Sequence, residues 1–262
     1  MTRSLLNSLP DWALFFIVVG GVLAIGLLGL YVVRRFLPHW RVNAEVSVAV
    51  GAMVMTLFAL VLAFAAVNLY DNYRTAFGNV EDEANSLAQI SRDMQVFPKA
   101  DQVKVDRAVV AYIHEVEDKE FPDMRKGGSD PLTNTRIDGV FAAVQSMNPQ
   151  TNAQKAFYGS AVDQLNAMVA ERRTRVSAAD ASLPNALVGL LILTAALSIA
   201  ITWFLKVDAV GTEIVLVGAV AMVVGAGLLT ILLLEYPFSG SVAVSSEPFT
   251  KGVLHTLLLR YP

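Results

Sequence analysis

The chain has 262 residues, 55% of them hydrophobic, and a mean hydropathy of +0.52, values that exclude an ordinary soluble globular protein and indicate a membrane protein. Its formal net charge of −3 argues against a nucleic-acid partner, which normally requires a basic surface. Because the sequence contains no cysteine, it also excludes disulfides, iron–sulfur clusters, thiolate zinc sites and cysteine nucleophiles.

The first predicted element is a membrane span from Trp12 to about Val33, since roughly 20 apolar residues cross a bilayer core. A signal peptide is the alternative. We favour a retained span, because the apolar stretch is too long for a signal-peptide core and Asp11 replaces the positive flank. Four glycines leave room for a neighbouring backbone: Gly20, Gly21, Gly26 and Gly29.

The second predicted span continues into a water-soluble helix, and the two form one predicted element from Asn43 to about Met94. Residues 44–69 are almost all apolar, and an amphipathic segment without proline follows them. Its apolar positions recur at steps of three and four, which is one helical face, at Tyr73, Phe77, Val80, Ala84, Leu87 and Met94.

A helical insertion over residues 70–183 is predicted to form a small soluble four-helix bundle. Its second helix fits Asp101–Glu120, with an apolar seam of Val105, Val109, Tyr112 and Val116. A loop is predicted over residues 121–134, followed by a third helix near Thr135–Met147. The fourth helix starts at Thr151 or Asn152, runs to about Ala181 and buries Phe157, Ala161, Leu165 and Met168.

The third and fourth spans are predicted at Pro184–Phe204 and Ile214–Leu234, with Glu213 and Glu235 reaching the interface at the ends of the last one. After them, Phe249, Val253, Leu254, Leu257 and Leu258 form one apolar face, which predicts a helix lying along the membrane surface. The predicted fold is therefore all-α, with four transmembrane helices and a soluble bundle between spans two and three. Its parts are residues 1–69, 70–183, 184–236 and 237–262.

The sequence contains no motif that assembles a reacting centre, and it predicts no enzyme and no cofactor. It has no glycine-rich phosphate loop, nucleophile elbow or His-Glu-x-x-His run, and its three histidines lie far apart. An acidic run (Glu115, Glu117, Asp118, Glu120 and Asp123) has two readings, a calcium site or a solvated helix end. We favour the helix end and predict no metal, because the EF-hand glycine and ligand spacing are missing.

Two groups of residues are candidates for function. Leu57, Phe64 and Asn68 lie on one side of span two, where an apolar constriction bounded by an amide is typical of a gate; ordinary helix packing is the alternative. In the amphipathic continuation, Glu83 and Arg92 are nine residues apart and so are not helical neighbours. Each is expected to pair with another helix, with Arg172, Arg173 and Arg175 facing Glu81 or Glu83. Glu81, Glu83, Arg92 and Arg172 are thus candidates for a structural or gating ion-pair network.

Several segments resemble the bestrophin-like bacterial membrane proteins, a family long described as a domain of unknown function. They are Phe58–Asp93, the DKEFPDM segment, Leu165–Arg175 and Pro237–Phe249, and the Glu83–Ala84 pair and the Pro-Phe-x-Gly turn at Pro237 are the most distinctive parts. The resemblance implies a remote relative of bestrophins: a homo-oligomeric channel for inorganic ions, anions among the candidates, with span two lining the pore. It implies a multi-pass protein of the bacterial inner membrane, whose other partner is the lipid bilayer.

Two questions stay open at this point. A membrane-anchored sensor or partner-binding protein, with the bundle receiving a ligand, is the alternative function. The bestrophin resemblance places the soluble bundle in the cytoplasm, whereas Arg34, Arg35 and Arg41 favour the cytoplasmic side for the loop between spans one and two and hence the opposite side for the bundle.

Overall fold

The computed structural model describes residues 2–37, 44–130, 132–180, 182–205 and 209–262, with backbone only at residues 2, 4, 5 and 44–47. The predicted helix start at Asn43, the loop residue Arg41 and the predicted end near Ala181 lie outside these ranges. The α-helices are α1 (Thr2–Ser8), α2 (Asp11–Phe36), α3 (Ala44–Asp93), α4 (Lys99–Glu115), α5 (Phe121–Lys126), α6 (Leu132–Gln145), α7 (Asn152–Ala179), α8 (Asn185–Trp203), α9 (Val210–Leu234) and α10 (Gly252–Arg260).

The described residues confirm the all-helical fold class, since they contain no β-strand. Four of the helices, α2, α3, α8 and α9, are long and apolar enough to cross a membrane, as predicted. The protein is therefore a membrane protein. Helix α3 is 50 residues long, far more than one crossing requires.

The chain divides into two compact units. Unit 1 consists of Met1–Asn7, Asn72–Ala181 and Tyr236–Pro262. Unit 2 consists of Ser8–Asp71 and Ser182–Glu235 and contains α2, α8 and α9. Helix α3 contributes residues 44–71 to unit 2 and residues 72–93 to unit 1.

Close packing at glycine holds the helices of unit 2 together. A Cβ added at Gly225 of α9 would lie 3.0 Å from the Val19 Cα of α2, and one at Gly26 would lie 3.1 Å from the Ala221 Cβ. A Cβ at Gly29 would overlap the ring of Trp203, whose Nε1 donates to the carbonyl of Gly26 at 2.8 Å. These glycines therefore have a packing role. Gly20 and Gly21, grouped with them in the sequence, have no atom within 4 Å of such a Cβ.

The structure places the Glu213 side chain differently from the sequence expectation, in an ion pair within unit 2. Its side chain is buried rather than reaching an interface, and Arg34 Nη1 lies 2.9 Å from Glu213 Oε2. The guanidinium at the end of α2 compensates the carboxylate at the start of α9, so burial of Glu213 does not leave an isolated charge.

We expect Gly29→Ala to destabilise unit 2 by about 1–3 kcal/mol, the usual cost of forcing an extra methyl group into a packed site. The added carbon displaces the Trp203 ring and lengthens its hydrogen bond to Gly26. Gly20→Ala on the same helix is the matched control, because its Cβ meets open space. Thermal unfolding of the detergent-purified protein measures both, and equal melting temperatures for the two variants would contradict this packing role.

The core of unit 1 is built from α3, α4, α6 and α7, with α5 and the C-terminal segment packed against it. The seam predicted on the second helix (Val105, Val109, Tyr112 and Val116) is fully buried. Helix α7 begins with a capping box, in which Thr151 accepts from the backbone N–H of Gln154 and the Gln154 side chain accepts in return. Its buried face starts at Ala161, so Phe157, one turn earlier, is exposed and its predicted burial is wrong.

The predicted loop at residues 121–134 is in large part helical. Helix α5 forms because Pro122 lies in its first turn, where no N–H is required, and because Phe121 and Met124 enter the core. Gly127 ends it with φ +85°, a left-handed conformation that glycine adopts without strain. Helix α6 then starts at Leu132, three residues before the predicted position.

The C-terminal segment packs within unit 1. A 3₁₀ turn at Glu247–Thr250 leads into α10, and Phe249, Leu254 and Leu257 are buried in the same core as α3 and α4. The apolar face that the sequence assigned to a membrane surface is thus accounted for by packing within this unit. The sequence of the tail does not indicate this packing, because the apolar surface that covers its face is formed by other segments of unit 1.

Candidate functional site

Helix α3 has two different faces within unit 2. Phe58, Val61, Ala65 and Leu69 are buried in one apolar cluster with residues of α8 and α9. The three predicted pore residues lie on the face beside this cluster, where Leu57 is 47% exposed, Phe64 is 63% exposed and Asn68 is exposed as well. Asp71, one turn after Asn68, is exposed on the same side. The structure therefore groups the predicted pore residues on a single face that has no partner within the described part of the chain.

A buried ion pair joins α3 to α7 in unit 1. Arg175 and Glu83 are both fully buried, with Arg175 Nε 2.7 Å and Nη2 3.1 Å from the two carboxylate oxygens of Glu83. The contact is bidentate, the geometry in which a guanidinium binds a carboxylate most strongly. Tyr112 of α4 donates its hydroxyl hydrogen to the same carboxylate.

Glu120 brings a second carboxylate to this cluster. Its Oε2 lies 2.7 Å from Arg175 Nη2 and 3.2 Å from Arg172 Nε, and its Oε1 also contacts Arg172. Residues Val116–Glu120 form a π-helical turn, and Val116 and Glu120, four residues apart, both lie on its buried side. Two arginines thus neutralise two glutamates in the core of unit 1.

Burial and neighbouring charges fix the protonation states of Tyr112 and Arg175 in this cluster. Burial, reinforced by the neighbouring Glu83 carboxylate, raises the pKa of Tyr112 well above its ordinary value, so the phenol stays neutral. Burial alone would lower the pKa of Arg175. The neighbouring Glu83 carboxylate outweighs this effect and raises the pKa above its ordinary value, so the guanidinium remains charged. The rings of Phe121 and Phe249 lie 5.1 Å and 6.0 Å from the Arg175 guanidinium carbon, within the range of a cation–π contact.

The four predicted ion-pair residues occupy different places. Glu83 lies in the buried cluster. Arg172 lies there too, but it pairs with Glu120 instead of Glu81 or Glu83. Glu81 and Arg92 are both exposed and make no ion pair within the described ranges; they line a groove of about 220 Å³ between α3 and the C-terminal segment, together with Phe77 and Lys251.

The acidic run that raised a calcium alternative is divided among other contacts. Glu115 pairs with Arg136 at 3.0 Å, Glu117 accepts from Ser246, and Glu120 belongs to the buried cluster. In the residues whose placement is described, no group of three or more histidine, aspartate or glutamate side chains is arranged to hold a metal ion.

Asp106 of α4 is a further buried carboxylate, and it accepts from Ser91 Oγ at 2.6 Å. Burial raises the pKa of Asp106, while the Ser91 hydrogen bond and the charges of Arg260 and Lys99 oppose the shift. A carboxyl whose pKa is higher in the folded state favours folding when protonated, and this contribution is lost as the pH rises through that pKa.

We therefore expect Asp106→Asn to raise the melting temperature modestly at pH 7, because the amide keeps an acceptor for Ser91 without a buried charge. The gain should shrink as the pH falls and vanish where the carboxyl is protonated in both the folded and unfolded states. Melting curves of the wild type and the variant between pH 3 and pH 8 measure this difference; a gain independent of pH would contradict it.

The sequence missed two members of the buried cluster, Tyr112 and Glu120. The sequence pattern places Tyr112 in an apolar seam, although a fully buried phenol normally has a hydrogen-bond partner. Glu120 is predicted at a solvated helix end, although it lies four residues after Val116 and so continues the spacing of the buried seam.

Comparisons with a family model and with solved structures relate the chain to known proteins. A model of the Bestrophin-like domain matches residues 20–249. The fold is similar to a crystal structure of a membrane protein, with a TM-score of 0.72 and 13% identity over 94% of this chain and 98% of that one. It is also similar to a bacterial bestrophin homologue from Klebsiella pneumoniae, with a TM-score of 0.69 and 14% identity over 94% and 98% of the two chains. No curated protein matches the sequence.

Proposed function

The chain belongs to the Bestrophin-like family, and from this premise we propose that it assembles into a homo-oligomeric ion channel whose pore is lined by α3. The proposal places several copies of α3 around a common axis, with Leu57, Phe64 and Asn68 facing that axis. We place the assembly in the bacterial inner membrane, where its partners are the surrounding lipid and the permeant ions.

The observation that carries the proposal is the unpartnered face of α3. A membrane helix with one buried face can direct its other face to lipid or to a neighbouring copy. Asn68 and Asp71 favour the second arrangement, because polar side chains at a span are costly in lipid unless they face protein or water. In a ring of copies the same face would present an apolar constriction at Phe64 and a polar mouth at Asn68 and Asp71.

We propose further that unit 1 lies outside the membrane, in water. It contains the part of α3 after Asp71, the bundle at residues 72–181 and the tail after Glu235. Its exposed charges on α3, such as Arg74, Glu81 and Asp82, suit a solvated surface. These boundaries agree with a soluble bundle at residues 70–183 that begins as the continuation of span two.

The charge of the permeant ion depends on two polar groups at the proposed mouth, Asn68 and Asp71, which favour ions of opposite charge. The amide of Asn68 can donate to an anion, which is the ion class that the bestrophin resemblance suggests. The carboxylate of Asp71, repeated once per subunit, would favour cations at the same mouth. Reversal potentials under a salt gradient distinguish the two, and Asp71→Asn is expected to shift the potential toward anion permeation.

The decisive experiment is an electron-microscopy map of the detergent-purified protein, combined with ion flux from liposomes that contain it. We expect a ring of subunits with α3 around a continuous axial passage, together with flux above that of empty liposomes. A monomer, or a dimer without a passage, overturns the channel proposal. That result would favour the alternative, a membrane-anchored sensor or partner-binding protein that uses unit 1.

A further inference from the structure

We propose that unit 2 holds a binding site for one anionic phospholipid at the end of α2 and the start of α9. A cavity of about 400 Å³ lies there, lined by Leu27, Leu30, Tyr31, Arg34, Arg35, Val210 and Ile214. Four of these side chains are aliphatic and three are polar or charged at their ends. This combination fits an acyl chain beside a charged headgroup.

The position of the cavity along α2 matches the boundary between hydrocarbon and headgroups. Helix α2 has 26 residues and so is about 39 Å long at about 1.5 Å per residue, whereas the hydrocarbon core is about 30 Å thick. Its apolar stretch ends immediately before Arg34. The two arginines therefore reach the headgroup layer, Tyr31 lies at the depth preferred by aromatic residues, and Leu27 lies two turns deeper.

Among the described charges at the cavity, one cation has no ion-pair partner. Arg34 is held by Glu213, so that pair is neutral and its guanidinium is fixed in place. Arg35 is exposed, lies over the ring of Phe36 at 5.8 Å and makes no ion pair with any described residue. The first N–H groups of α9 have no side-chain cap from Ala209, and a helix N-terminus favours an anion. The local charge thus favours a phosphate over a neutral or zwitterionic headgroup.

The occupant that these features favour is a phospholipid with a net negative headgroup. Basic pockets between transmembrane helices are typical sites for such lipids. A free phosphate would satisfy Arg35 but would leave the aliphatic wall of Leu27, Leu30 and Ile214 without a partner. A zwitterionic lipid would fill that wall but gain less at Arg35. The site does not depend on ion conduction, because it uses only the membrane helices of unit 2.

Native mass spectrometry of the intact, delipidated protein tests the site with phosphatidylglycerol and phosphatidylcholine as probes. We expect the wild type to bind phosphatidylglycerol more tightly, and Arg35→Gln to weaken that binding by about fivefold, the usual effect of one basic residue near an anionic membrane surface. Ile214→Trp, which fills the cavity without changing the charge, is expected to weaken the binding of both lipids. Arg173→Gln, which removes an exposed arginine of unit 1, is the matched control and is expected to bind as the wild type does.

Three results would overturn the proposal: equal binding of the two lipids by the wild type, unchanged phosphatidylglycerol binding by Arg35→Gln, or displacement of the lipid by millimolar inorganic phosphate. The last of these would assign the cavity to a free anion. Melting temperatures accompany each variant. Because Arg35 is exposed and makes no ion pair in the described structure, its substitution leaves a folded protein in which a loss of lipid binding can be interpreted.

Discussion

Replacing Arg175 with methionine is expected to destabilise the protein by about 3–5 kcal/mol, the largest stability loss that we expect from any single substitution in unit 1. Glu83 and Glu120 are both fully buried and both bind this guanidinium. Without it, Arg172 still pairs with Glu120, but among the described residues the carboxylate of Glu83 keeps only the Tyr112 hydroxyl as a hydrogen-bond partner. Melting of the purified protein, followed by size-exclusion chromatography after heating, measures the loss.

A second substitution separates the loss of a charge partner from the loss of side-chain volume. If the unpaired carboxylate is the cause, Glu83→Gln in the Arg175→Met background should recover part of the stability, since contacting residues are coupled. Arg173→Met is the matched control on the same helix, because Arg173 is exposed and its loss is expected to stay within about 0.5 kcal/mol. Equal losses at the two arginines, or no recovery in the double variant, would show that the buried charges do not govern this site.

The buried cluster restricts how α3 and α7 can pack against each other in unit 1. Replacing a buried ion pair with apolar residues of similar volume is often neutral, so the charges themselves need not add stability. They restrict which surfaces can meet: Glu83 of α3 must face Arg175 of α7, and the π turn must bring Glu120 to the same point. Any shift of α3 along its axis would leave a buried charge without a partner.

Much of the helical architecture could be predicted from the sequence because its signals are local. Apolar length defines a span, and the three-and-four spacing of Val105, Val109, Tyr112 and Val116 defines a buried seam. The start of α7 was also accessible, since Thr151 followed by Gln154 three residues later is a capping box. Each of these features depends on neighbours within a few turns of the same helix.

The remaining features depend on contacts between distant segments. Arg172, Arg173 and Arg175 look equivalent in the sequence, although helical geometry turns Arg173 away from the side that the other two share. The pattern does not indicate which glutamate each arginine binds, because Glu83 and Glu120 belong to segments far from α7 in the sequence. The burial of the C-terminal segment likewise depends on a surface built by residues more than a hundred positions earlier.

The same limit applies to the candidate pore. Span two is apolar on every side, so its sequence does not indicate which face packs and which is free. Asn68 was the only clue to a special side near its end. The structure adds the buried face at Phe58, Val61, Ala65 and Leu69, and Leu57 and Phe64 then lie on the free one.

In the proposed channel, Phe64→Ala is expected to raise ion flux several-fold. The phenyl ring is the largest of the three predicted pore side chains, and a ring of such groups around the axis forms a hydrophobic constriction that resists wetting. Removing it widens and hydrates the passage. Because the side chain is 63% exposed within one chain, its loss leaves no cavity in the described core, and the fold should survive. Flux from liposomes at matched protein density measures the change.

Phe16→Ala provides the matched control for Phe64→Ala. Phe16 lies on α2, is 67% exposed and undergoes the same chemical change, but it has no place in the proposed pore. If both phenylalanines face lipid, the two variants should behave alike, with flux equal to that of the wild type. A several-fold rise confined to Phe64→Ala assigns its face of α3 to the ion pathway, because partitioning into lipid affects both side chains equally. A rise in both variants would indicate general loosening of unit 2, and no rise in either would place Phe64 outside the conducting path.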